Sequence, residues 1–139
     1  MDPLRLLYSE RSTIRMLNFS GDGRREENFT TSLLAKDLDD VIALAFDFRE
    51  EMLFWTDVIH EKILRKSLKD NKVEVVVSAG LVRPEGIAID WVTKKIYWTD
   101  SQLKLIEVAN LDGSQRSVLF WKNLGKPRSI IVDPRHGYV

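Results

Sequence analysis

One run of residues is written twice in this chain. Leu53-Phe54-Trp55-Thr56-Asp57 returns 43 residues later as Ile96-Tyr97-Trp98-Thr99-Asp100, an aromatic pair followed by Thr and Asp. The offset holds without a gap from Leu38 to the last residue. Asp47 falls on Asp90 and Asp133, Leu38 on Leu81 and Leu124, Ile63 on Ile106, Leu68 on Leu111, Val75 on Val118, and Pro84 on Pro127. A period in this range belongs to solenoid and propeller arrays, in which a unit buries its apolar face only against its neighbours. In this register residues 1–37 form an edge unit, followed by 38–80, 81–123 and a short 124–139.

The second copy shows what a unit is made of. Ile87 to Trp91 is apolar and β-branched, Lys95 to Thr99 centres on Tyr97-Trp98, Leu105 to Leu111 alternates apolar and polar, and Arg116 to Phe120 ends in Val-Leu-Phe. These are four short strands. Asp112-Gly113 between the last two is a short-hairpin signal, because Gly accepts the positive φ of a tight turn, and the polar stretch Trp121 to Lys126 leads into the next unit. Four strands per repeat of this length is the pattern of a propeller blade, whereas ankyrin and tetratricopeptide repeats are shorter and helical. The expected fold is all-β.

The repeated residues have work that requires no reaction. A Trp fills the space between stacked sheets, and an Asp at a strand end accepts hydrogen bonds from turn amides. Trp55, Trp98, Asp57 and Asp100 are therefore read as the parts that hold each unit together.

Composition excludes several classes of partner. With 21 Lys+Arg against 21 Asp+Glu, no net field favours nucleic acid or an anionic membrane. Arg24-Arg25 is followed at once by Glu26-Glu27 and reads as a solvated loop. The longest apolar runs, such as Val41 to Phe46, fall far short of the roughly 20 residues that a membrane-spanning helix requires. Met1 to Tyr8 lacks the apolar core and cleavage site of a secretory signal. At the 43-residue offset Tyr138-Val139 matches Lys95-Ile96, so the array stops one residue before a third aromatic pair. The chain is read as a fragment with its last blade cut in mid-strand.

No pattern for catalysis, metal or cofactor is visible. There is no cysteine, so neither a disulfide framework nor a thiolate metal site is available. His60 and His136 form no HExxH-like pair and read as ordinary surface residues; no GxSxG elbow, phosphate loop or EF-hand is present. Gly21-Asp22-Gly23 reads as a turn. Two Asn-X-Ser/Thr triplets, beginning at Asn18 and Asn28, flank it and become glycan sites on an exposed loop if the protein is exported.

The doubled motif resembles a known family. Phe54-Trp55-Thr56-Asp57 and Tyr97-Trp98-Thr99-Asp100, each with an Asp ten residues upstream, are similar to the YWTD repeats of the low-density lipoprotein receptor superfamily. The resemblance covers nearly the whole chain and implies about three four-stranded blades of a six-bladed β-propeller. Within that superfamily, Leu6-Leu7-Tyr8 with Arg11, Trp55 to Val58, Ile106 to Gly113, Val118-Leu119-Phe120-Trp121 with Pro127-Arg128, and Asp133-Pro134 resemble the start of the first propeller of the Arrow-type Wnt co-receptors.

That resemblance implies a non-enzymatic receptor ectodomain on the extracellular side of the plasma membrane, active in Wnt signalling. Its partners would be Wnt proteins and secreted antagonists of the Dickkopf and sclerostin type, captured by a charged rim around an apolar patch that takes an Asn-containing loop. Carried onto this sequence, the rim positions are Arg11, Asp39, Asp40, Glu61 and Arg128. Asp39 departs from the family as a shortened Glu, and Ile59 replaces a small polar residue. Arg128 shares its register with Glu85, which brings in Glu85 and neighbouring Arg83. A matrix propeller of the nidogen kind and a propeller hydrolase are the alternatives; the hydrolase would need carboxylates converging on a central channel. A lone fragment is expected to bind antagonist weakly or not at all.

Overall fold

The computed structural model describes residues 4–20 and 28–139, apart from the side chains of Ser20, Asn28 and Phe29. Gly21-Asp22-Gly23 and the Arg24 to Glu27 charges lie outside the described residues. The chain divides into two compact units, Met1–Val41 and Ile42–Val139.

Unit 1 is a three-stranded antiparallel sheet in the order β1-β2-β3, with β1 Arg5–Glu10, β2 Thr13–Ser20 and β3 Asn28–Ala35. Arg11 and Ser12 make the turn between β1 and β2, since Glu10 pairs with Thr13. Ile14 and Ala35, partners across β2 and β3, are buried. The sequon at Asn18 is on a strand and not in a loop: Asn18 pairs with Thr30 and is half-buried. The backbone of Asn28 opens β3, and its side chain lies outside the described residues.

Unit 2 adds two four-stranded antiparallel sheets. The first runs β4-β5-β6-β7, with β4 Val41–Asp47, β5 Met52–Asp57, β6 Lys62–Ser67 and β7 Val73–Val77. The second, with β8 Pro84–Asp90, β9 Lys95–Asp100, β10 Leu105–Asn110 and β11 Ser117–Phe120, has the same meander. Local irregularities repeat with the sequence. A register shift falls at Ile63/Leu64 in one sheet and at Ile106/Glu107 in the other. Left-handed backbone recurs at Glu51, Lys94 and Gly137, at Glu61 and Lys104, and at Asp37, Gly80 and Asn123. Most of these are not glycine. The turns demand the conformation, and Asn, Asp or a solvated Lys or Glu tolerates it at a small cost.

The expected tight hairpin at Asp112-Gly113 is longer than two residues, because β10 ends at Asn110 and β11 starts at Ser117. Asn110 accepts from the Gly113 N–H at 2.9 Å, and the Asp112 carboxylate accepts from the Ser114 N–H at 2.9 Å. Gly113 is required twice over: its φ is +89°, and a Cβ there would collide with the Val76 carbonyl of the preceding sheet.

Strand alternation explains the doubled motif. Successive side chains of a strand point to opposite faces, so in β9 Trp98 and Asp100 share one face while Tyr97 and Thr99 share the other. Trp98 is fully buried in the cluster of Phe54, Ile63, Val76, Val77, Leu81, Ile87, Ile89, Ile96 and Ala109, which joins the two sheets. Burying a side chain of that size contributes about 5 kcal/mol as an upper bound. Thr99 looks the other way and donates from Oγ1 to the Arg128 carbonyl at 2.6 Å. In the second sheet the motif thus ties its strand both to the preceding sheet and to the segment after β11.

Residues 121–139 carry no strand; an isolated bridge joins Asp133 to Tyr138. No helix of the described residues is long and apolar enough to cross a membrane.

Candidate functional site

Carboxylates that repeat with the array are engaged by backbone. Asp100 is fully buried and accepts from the N–H groups of Val82 (2.8 Å), Arg83 (3.2 Å), Gln102 (3.1 Å) and Leu103 (3.0 Å). Asp90 accepts from Val92 and Thr93, and Asp47 from Arg49 and Glu50. Burial pushes the Asp90 carboxyl up, but the Thr93 and Val92 donors outweigh it and hold the group below its ordinary 3.8. For Asp57, burial is likewise outweighed by the His60 and Ile59 amides and the His60 ring.

Both histidines, read from sequence as ordinary surface residues, share one arrangement. His60 Nδ1 lies 2.9 Å from Asp57 Oδ2, and His136 Nδ1 lies 2.7 Å from Asp133 Oδ2. Each closes an Asp-x-x-His turn onto a repeated Asp. The Asp-x-x-His spacing was the signal for it.

The rim residues fall into separate groups. In unit 1, Arg11 occupies the β1–β2 turn with its side chain 84% exposed, and its Nε stands 3.6 Å from Asp40 Oδ1. Asp39 is exposed beside it in sequence. In unit 2, Glu61 occupies the β5–β6 turn in left-handed conformation, with φ +54°. Arg83, Glu85 and Arg128 come together although 45 residues separate the outer two. Arg83 Nε donates to Glu85 Oε1 at 2.9 Å, and Arg128 Nε stands 3.8 Å from Glu85 Oε2. Arg83, and after it the Ser101 hydroxyl, holds the Glu85 carboxyl below its ordinary 4.5. Glu61 shares no ion pair with this trio among the described residues.

Two further Arg–Glu pairs have no counterpart at the 43-residue offset. On the first sheet, Arg65 donates from Nε and Nη2 to Glu74 and from Nη1 to the Leu111 carbonyl of the next sheet at 2.9 Å. On the second, Arg116 forks onto Glu107 at 2.8 and 2.9 Å and reaches back to the Ala79 and Gly80 carbonyls. Glu107 is buried and also accepts from the Trp98 indole N–H at 3.2 Å, with Arg116 5.3 Å from that ring's centroid. These pairs clamp the sheets together.

Comparison with known proteins now decides the family. The model of the low-density lipoprotein receptor repeat class B matches residues 51–91 and 94–134. The chain belongs to this family. The first matched repeat starts just before β5 and ends just after β8, so it straddles the two sheets of unit 2; the second starts just before β9 and ends in the strandless segment after β11. Over 136 residues the chain is 41% identical to low-density lipoprotein receptor-related protein 5 of Mus musculus and 42% identical to that of Homo sapiens. These alignments cover 96% of the chain but span only 8% of the length of either relative.

Among solved structures, a nidogen/laminin complex matches with TM-score 0.83 and 36% identity over 95% of this chain and 50% of that one. TolB from Acinetobacter baumannii matches with TM-score 0.70 at 15% identity, over 94% of this chain and 34% of that one, and shares the fold alone. The class B repeats here build a partial YWTD β-propeller: all-β, with two complete four-stranded blades in unit 2. The edge unit expected over residues 1–37 is the three-stranded sheet of unit 1 among the described residues.

Proposed function

We propose that this chain is a ligand-binding segment of a Wnt co-receptor ectodomain. It presents blade-connecting loops to Wnt proteins and to antagonists of the Dickkopf and sclerostin type on the extracellular side of the plasma membrane. The observation that carries this reading is the 41% identity to a receptor-related protein across 96% of the chain. Support also comes from the exposure of Arg11, Asp39, Glu61, Arg83 and Arg128 on turns and connections, where a rigid scaffold places binding residues. On the same reading Asn18 and Asn28 are glycan acceptors.

The role is binding and not catalysis. Asp47, Asp90 and Asp100 are committed to turn amides, which leaves them unsuited to the channel-facing metal site of a propeller hydrolase. A matrix propeller is the second reading, favoured by the 36% identity to a chain of the nidogen/laminin complex.

A receptor chimera tests the assignment. The matched 136 residues of the mouse relative are replaced by this chain, and a Dickkopf-type antagonist is titrated on cells carrying the chimera. Binding is expected, with Arg11→Ala and Glu61→Asn each weakening it about tenfold; Asn is chosen at 61 because it tolerates the left-handed turn. If neither substitution changes binding, the rim assignment is wrong. A surface-expressed chimera that binds neither Wnt nor antagonist overturns the co-receptor reading.

A further inference from the structure

Unit 2 holds two arginines whose backbones are anchored and whose outer nitrogens are unused. Arg83 donates its N–H to the buried Asp100 carboxylate at 3.2 Å, and its carbonyl accepts from the Ser101 N–H at 3.2 Å. The Arg128 carbonyl accepts from Thr99 Oγ1 at 2.6 Å and lies so close to Gly86 that a Cβ there would collide with it. Both side chains stand over one carboxylate. Arg83 Nε takes Glu85 Oε1 and Arg128 Nε faces Glu85 Oε2. The arginine side chains are 64% and 74% exposed, whereas that of Glu85 is 15% exposed. Each guanidinium therefore keeps both Nη groups without a partner among the described residues.

Two exposed guanidinium groups face one covered carboxylate, Glu85, and the Asp100 carboxylate beneath them is buried and engaged by backbone amides. Arginine forks match the planar, bidentate geometry of an oxyanion. An incoming amide N–H would need an acceptor, but Glu85 Oε1 is engaged by Arg83 and Oε2 is buried. Val82 and Leu103, two exposed apolar residues, donate their N–H groups to the Asp100 carboxylate that also anchors Arg83, so their backbones lie beside that of Arg83. A sulfated glycan takes an extended track of cations, and this chain's 21 Lys+Arg are balanced by 21 Asp+Glu. We infer that Arg83 and Arg128 form a docking fork for a carboxylate side chain, Asp or Glu, presented next to an apolar residue by a protein ligand. This rests on the reading of the chain as a protein-binding propeller segment, and it names a chemistry different from the Asn-containing loop implied by resemblance.

The test titrates the 139-residue chain with two blocked peptides, Gly-Gly-Leu-Asp-Gly-Gly and Gly-Gly-Leu-Asn-Gly-Gly, at about 20 mM salt, where screening is weak. NMR follows the arginine Nε–Hε signals. The Asp peptide is expected to shift the Arg83 and Arg128 signals and to bind at least about tenfold more tightly than the Asn peptide. Arg83→Ala with Arg128→Ala should erase the difference; the Arg128 carbonyl that Thr99 uses is retained in that variant. Glu85→Gln should tighten the Asp peptide by removing the negative charge that competes for the two guanidinium groups. Equal affinity for the two peptides, no shift with either, or shifts produced only by a heparin tetrasaccharide would overturn the inference. The chimera separates this from the broader reading. Antagonist binding that survives loss of both arginines refutes the fork alone, whereas a chimera deaf to every ligand refutes the receptor role alone if the peptide difference persists.

Discussion

At the scale of single residues, strand alternation separates the jobs of Trp98, Thr99 and Asp100 in the repeated motif. Trp98 serves the preceding sheet through the apolar cluster, and Asp100 pins the connection entering β8 through the Val82 and Arg83 amides; Thr99 serves the segment after β11. The sequence announces these residues because every copy needs them. It is less explicit about glycines. Gly113 and Gly125 look alike as letters, yet a Cβ at Gly113 would meet the Val76 carbonyl, while nothing lies within 4 Å of one at Gly125. Gly113→Ala is expected to destabilise unit 2 by about 2–3 kcal/mol, from the forced backbone shift and the positive φ. Gly125→Ala should change stability by less than about 0.5 kcal/mol. Urea denaturation followed by Trp fluorescence checks both, and similar midpoints for the two variants would refute the close approach.

At the scale of the element, strand boundaries in the second copy were legible to within a few residues, because period-two patterning and turn residues are local signals. The Arg65–Glu74 and Arg116–Glu107 pairs were not. Each joins neighbouring strands of one sheet and then reaches a carbonyl of the other, a relation that exists only once the sheets stack. The 43-residue register also hides them, since Glu107 aligns with Leu64 and Arg116 with Val73. Removing Arg116 leaves the buried Glu107 carboxylate with the Trp98 indole as its remaining side-chain donor. Arg116→Met is therefore expected to cost about 3 kcal/mol, and Glu107→Gln in the same chain should recover part of it. A double-mutant cycle measured by denaturation decides: additive losses would show that the two side chains do not act together.

At the scale of the whole molecule, the covered carboxylates set how stability responds to acid. Asp57 and Asp90 lie below their ordinary 3.8 in the folded chain, and Glu85 lies below 4.5. A lowered folded value means that the unfolded chain binds protons first. The stabilisation is therefore complete above the unfolded value and is lost as the pH falls through the folded one. Urea midpoints are expected to stay level from about pH 7 to about pH 5 and to fall below about pH 4. Asp90→Asn should flatten that acid limb; an unchanged slope would show that Asp90 does not contribute to it.

What the sequence by itself determined is the array: its period, its all-β character, its family and the residues that every blade repeats. Repetition makes those visible, because a part needed in each unit must be written in each unit. What only the tertiary structure decided is which charges meet. Arg83, Glu85 and Arg128 come from two successive repeats and converge because Thr99 and Gly86 admit the Arg128 backbone against the edge of a sheet. Resemblance had named Arg128, and the 43-residue register had added Glu85 and its neighbour Arg83. Their arrangement as a covered carboxylate beneath two open guanidinium groups comes from distances that sequence separation does not encode.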